Sequence, residues 1–165
     1  KASGEFMTYD LKTKIAVITG QFQTFSSPSG YIESKKIIQY NDFNNKAEAS
    51  GEVKIILPNK TKIFGDNIKA DFTGKEKSLT KATAKGNVII ENTEKGQKSK
   101  ANLGIYNSSD SVIQLRGNVV IINKKSTIKG SRGTTNLKTG ISNLIGNPQK
   151  GQRVKGVFLP TNKSK

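Results

Sequence analysis

Residues 113–121 read Ile113-Gln114-Leu115-Arg116-Gly117-Asn118-Val119-Val120-Ile121, and the glycine at their centre is the landmark of a repeat. Ile113 and Leu115 lie four and two residues before it, Val119 and Ile121 two and four after it. Residues of one parity share a strand face, so this is an apolar face interrupted by a glycine. The pattern recurs around Gly20, Gly51, Gly86 and Gly146, and the five glycines are spaced 31, 35, 31 and 29 residues apart. Two residues before the other four sit Ile18, Ala49, Ala84 and Leu144, and two after sit Phe22, Val53, Val88 and Pro148. Thr24, Ile55 and Ile90 hold the place of Ile121. Lys, Glu, Gln and Thr supply much of the opposite parity, which Ile56, Ile89, Val120 and Ile122 break. Periods of this length mark repeated supersecondary units.

A second signature lies between the glycines. Ile63-x-Gly65-Asp66, Ser99-x-Ala101-Asn102 and Ile128-x-Gly130-Ser131 each set a small residue before a short polar one. Tyr9, Tyr40 and Tyr106 stand eleven residues before their glycines, and Phe72 fourteen before Gly86. Turn-forming residues cluster at Ser26–Gly30, Asn41–Asn45, Pro58–Thr61, Thr73–Ser78, Asn92–Gln97, Asn107–Ser111, Asn123–Ser126 and Lys138–Gly140, about every fifteen residues. Between them run stretches rich in Ile, Val, Thr and Tyr. No segment has a capped helical period. The expectation is an all-β antiparallel meander that buries one face by folding into two sheets or rolling up. Such a roll is elongated and open at both ends, with unpaired edges there. No strand is read ahead of Glu5.

The residue inventory narrows the chemistry. The 165 residues contain no Cys and no His, which removes thiol chemistry, disulfides and the commonest general base and metal ligand. The twelve acids are scattered, and Asp66, Asp71 and Asp110 sit beside turns, where such residues cap the backbone. No catalytic residue, metal ligand set or cofactor is read. The apolar run Val119–Ile122, which no other run exceeds, is far short of a membrane span. No signal-peptide core lies near Lys1, so an exported protein would be seen here in mature or trimmed form.

Charge is uneven. The net charge is +16, every acid lies at or before Asp110, and residues 111–165 hold eleven Lys or Arg. Such a field attracts acidic partners. The regularly placed aromatics read as packing rather than as a nucleic-acid stacking platform. A phosphorylated lipid or an acidic glycan fits better: an apolar roll encloses acyl chains while a basic rim pairs with phosphate. A twelve-carbon chain left in water costs roughly 10 kcal/mol, at about 0.8 kcal/mol per CH₂.

These residues resemble a known family. Gly51-Glu52-Val53, Gly86-Asn87-Val88 and Gly117-Asn118-Val119 are similar to units of the OstA/LptA family of periplasmic lipopolysaccharide-transport bridge proteins. So are Ile68-Lys69-Ala70-Asp71-Phe72 and Asn136-Leu137-Lys138-Thr139-Gly140, and Arg153–Pro160 resembles the tail of alphaproteobacterial members. The resemblance implies a twisted antiparallel β-jellyroll, open at both ends, with lipid A chains between two sheets. It implies head-to-tail stacking through edge strands and partners that are LptC-like at the inner membrane and LptD-like at the outer. The same domain occurs in those partners.

The reading is a non-enzymatic periplasmic carrier of lipopolysaccharide, one domain over 1–160 with a flexible tail over 161–165. Its expected lipid lining is Ile18, Phe22, Val53, Ile55, Leu57, Ile63, Ile68, Phe72, Val88, Ile90, Ile113, Leu115, Val119, Ile121 and Leu137, each of which serves equally as simple core. Expected phosphate contacts are Arg116, Lys124, Lys125, Lys129 and Arg132. Self-association is expected to be weak, because the basic C-terminal third repels its own copies. Two alternatives stay open: a basic β-protein for nucleic acid or acidic glycan, and a structural module that assembles without lipid.

Overall fold

In the computed structural model, which describes residues 1–124, 126–147 and 151–158, the alternation around Gly117 is one bent strand. The chain opens with six short strands: β1 (Ala2–Ser3), β2 (Phe6–Asp10), β3 (Ile15–Thr19), β4 (Gln23–Ser27), β5 (Gly30–Ser34) and β6 (Ile37–Asn41). Six long ones follow: β7 (Lys46–Ile56), β8 (Lys62–Thr73), β9 (Ser78–Asn92), β10 (Gln97–Asn107), β11 (Val112–Asn123) and β12 (Ser126–Asn136). β13 (Ser142–Ile145) and β14 (Lys155–Phe158) end the described chain. Every pairing between these strands is antiparallel.

The repeat glycines bend the sheet. Gly51, Gly86 and Gly117 have φ of +86°, +73° and +76°, and each is followed by a second left-handed residue, Glu52, Asn87 or Asn118. Two such residues insert a bulge, and the ladder register shifts between Ser50 and Val53 and between Arg116 and Val119. The second signature is the partner of the first. Asp66 lies over Gly86 and Asn102 over Gly117, where a side chain on the glycine would collide with them. Asn87 Nδ2 donates to Asp66 Oδ2 at 3.0 Å, tying the two signatures together.

The bulges line up into a fold line that divides one continuous sheet into two layers. Layer I holds β2, β3 and β6, then residues 46–50, 67–73, 78–85, 103–107, 112–116 and 132–136 of the long strands, then β13. Layer II holds β1, β4 and β5, then residues 53–56, 62–65, 88–92, 97–101, 119–123 and 126–130, then β14. The layers face one another. A Cβ on Gly104 in layer I would touch Val88 and Ile90 in layer II, at 3.0 and 3.6 Å. The Phe25 ring of layer II stacks on Tyr40 of layer I with centroids 5.0 Å apart. This is the antiparallel jellyroll expected, an all-β sheet that does not close on itself.

Opposite the fold line, the layers meet where their turns come together, along a seam held by side-chain contacts. Phe25 also packs edge-on against Phe72 at 5.7 Å. Ser29 Oγ accepts from the Leu79 N–H. Asn92 Nδ2 donates to the Leu137 carbonyl at 3.4 Å, and Gln97 Nε2 to Ser142 Oγ at 2.9 Å. The ends of the roll carry free edges: among the described residues β2 pairs only with β3, β13 only with β12 and β14 only with β12. Two expectations are corrected. A strand, β1, does precede Glu5 and pairs with β4. Phe22 lies in the break between β3 and β4 and is 52% exposed, so it is not on the apolar face.

Candidate functional site

The interior between the layers is one continuous cluster of buried apolar side chains. Ile55 and Val119 are fully buried, and Ile18, Val53, Leu57, Ile63, Ile68, Phe72, Val88, Ile90, Ile113, Leu115, Ile121 and Leu137 are buried with them in one cluster. Fourteen of the fifteen residues read from the sequence as lining therefore do share one interior. They pack as a core in this conformation, so access for any ligand requires the layers to part or the ends to open. Sequence reasoning missed Ile32, Ile38 and Leu79, which are buried in the same cluster. Ile38 carried a legible signal, since it shares parity with Tyr40 in β6.

Phe22 fails for a backbone reason. At Gly51, Gly86 and Gly117 the bulge returns the chain to its strand at once, and Val53, Val88 and Val119 point inward. At Gly20, φ is +139° and no left-handed residue follows. The strand stops for three residues, the parity resets, and Gln23 takes the inward place with no exposed surface.

Four of the five expected phosphate contacts lie among the described residues. Arg116 and Arg132 face each other directly across the β11–β12 ladder in layer I. Like charges in that position repel unless an anion lies between them. Lys129 is the ladder partner of both Val120 and Lys155. With Arg153, Lys129 and Lys155 line a 460 Å³ cleft that Asn118, Val119, Gly130 and Ser131 also line. Arg153 and Lys155 were not singled out in the sequence, although they belong to its acid-free third. Lys124 stands apart, in the turn after β11 and against Gly96. Lys125 lies outside the described residues. All six ion pairs among the described residues fall before Ser99, so Arg116, Lys124, Lys129, Arg132, Arg153 and Lys155 have no carboxylate partner there. No three Asp or Glu side chains gather into a metal-binding group among the described residues.

Comparison with known proteins agrees with this architecture. The family described as "LptA/(LptD N-terminal domain) LPS transport protein" matches residues 31–141. That span begins in β5 and takes in all six long bent strands. Among solved structures the chain is similar to LptH of Pseudomonas aeruginosa, described as the LptA-homologous periplasmic component of the conserved lipopolysaccharide transport device. The TM-score is 0.63 at 16% identity, over 93% of this chain and 100% of that one, a likeness of fold. No curated protein sequence matches. Two-thirds of the chain, including every bulged strand, thus carries the family's pattern, and the chain belongs to the LptA/LptD N-terminal-domain family of lipopolysaccharide-transport proteins.

Proposed function

We propose that this chain is a periplasmic carrier that holds the lipid A acyl chains of lipopolysaccharide between its two layers. The observation that carries the reading is the construction of the interior. A continuous apolar cluster runs from Ile18 in β3 to Leu137 beyond β12. It is hinged along one side by bulged backbone and shut along the other by side-chain contacts. Parting the seam exposes the apolar faces without breaking a strand ladder, and acyl chains restore the burial at about 0.8 kcal/mol per CH₂. The unneutralised Arg116–Arg132 pair and the cleft bordered by Lys129, Arg153 and Lys155 supply places for lipid phosphates.

In the same reading the chain bridges inner and outer membranes. Free edges at the two ends pair head to tail with LptC-like and LptD-like domains by strand addition. A photo-crosslinking residue at Ile55, Ile63 or Ile121 is the direct test, with folding checked by circular dichroism. Capture of lipopolysaccharide from at least one of these positions is expected. Raising salt should weaken binding only in part, because ionic contacts are screened and apolar burial is not. Absence of lipid at every interior position, or complete loss at moderate salt with equal affinity for DNA, would overturn the carrier reading.

A further inference from the structure

The row of inward residues next to the fold line in layer II alternates large and small. Val53 pairs with Gly65, Val88 with Ala101 and Val119 with Gly130. The first repeat follows the same rule, Gln23 beside Ser34, but puts an amide where the others put valine. Gln23 has no exposed surface, yet neither its Nε2 nor its Oε1 has a hydrogen-bond partner among the described residues. Ser34, equally buried, is satisfied: its Oγ donates to the Ser50 carbonyl at 2.6 Å. Buried amides are nearly always paired, because desolvating one without a partner is costly. A valine here would pack as it does three times elsewhere.

Its position explains what the amide could meet. Gln23 lies at the N-terminal end of the interior, where the backbone at Gly4 passes over it and over Ile18. One strand further out, Met7 and Tyr9 of β2 are the ladder partners of Ile18 and Ala16 and so share their inward face, but they are 53% and 47% exposed. The apolar interior thus emerges into solvent beside Gln23. An amide offers one donor group and one acceptor, so it complements a group that does both, a hydroxyl or a secondary amide. A plain hydrocarbon chain offers neither.

We infer that Gln23 is a specificity-determining contact at the N-terminal mouth, which hydrogen-bonds a hydroxyl or amide carried on an acyl chain and discriminates against unsubstituted chains. The inference rests on the carrier reading above. The test compares β-hydroxymyristic acid with myristic acid, by calorimetry, on the wild-type chain and on Gln23→Met and Gln23→Val. Met keeps the length of the side chain, and Val restores the residue of the other repeats. The wild type should prefer the hydroxylated chain about three- to tenfold, the worth of one net buried hydrogen bond. Both variants should bind the two acids equally and melt a few degrees higher than the wild type. Equal affinities in the wild type, or an undiminished preference in Gln23→Met, would overturn the inference and leave the carrier reading standing. A lower melting temperature in both variants would also overturn it, since the amide would then already have its partner in the unliganded protein. Binding of neither acid while interior crosslinkers still capture lipopolysaccharide would overturn this inference alone, and failure of both would overturn the carrier reading with it.

Discussion

At the scale of single residues, the fold depends on where left-handed backbone is allowed. Gly117 combines a φ of +76° with Asn102 packed over it, so an added Cβ would meet that side chain at 2.8–3.1 Å. Gly74, in the turn after β8, has nearly the same φ, +72°, with nothing within 4 Å. Gly74→Ala should cost about 1 kcal/mol, the conformational penalty alone. Gly117→Val adds a branched side chain and the displacement of Asn102, and should cost about 3 kcal/mol. Urea unfolding of the two variants measures the difference, and equal costs would mean that the Asn102 contact contributes nothing. The repeat glycine itself was legible in the sequence. Its partner residue was visible as a spacing but not as a contact, because the two belong to neighbouring strands.

Turns are the elements that hold the roll's rim. The turn between β6 and β7 is tied to the turn between β8 and β9 by Lys77 Nζ, which donates to Asp42 Oδ1 at 2.8 Å and to Asn45 Oδ1 at 2.5 Å. The ammonium also stands over the Tyr40 ring, 5.6 Å from its centroid. The Lys77 hydrogen bond holds the Asp42 carboxyl below the ordinary aspartate value, and Asp42 in turn holds the Lys77 amine above the ordinary lysine value. The contribution to stability is therefore level between those ordinary values. It is lost in acid as the pH falls through the depressed Asp42 pKa, and in alkali as the pH rises through the raised Lys77 pKa. Lys77→Met should move the Asp42 titration, followed by carboxyl NMR, up toward the ordinary value. No change on substitution would mean that the pair does not form in solution. Both turns were readable from their Asn, Asp, Gly and Ser content, whereas their pairing across 35 residues was not.

For the whole molecule, the decisive features are two layers, one seam and two unlike ends. Contacts between unlike ends are heterologous and need not close into a ring. Proline at an outward-facing N–H of β2 should block association with a partner domain and leave the fold intact, because only the donor to the neighbour is lost. Self-association should be weak at low salt and increase as salt screens the acid-free C-terminal third. Sedimentation velocity across protein and salt concentrations reports both effects. A chain that stays monomeric throughout, and that ignores LptC-like and LptD-like domains, would leave a lipid-binding module without a bridging role.

By itself, the sequence determined the all-β class, the glycine-centred repeat and fourteen of the interior side chains. Those follow from local rules: strand parity, turn chemistry and the period of the repeat. Only the tertiary structure decided that Phe22 turns outward and Gln23 inward, because that depends on how the chain leaves the bulge at Gly20. It alone joined Arg153 and Lys155 to Lys129, and set Arg116 against Arg132. Cross-strand register fixes which charges meet, and register is a property of the assembled sheet rather than of any one strand.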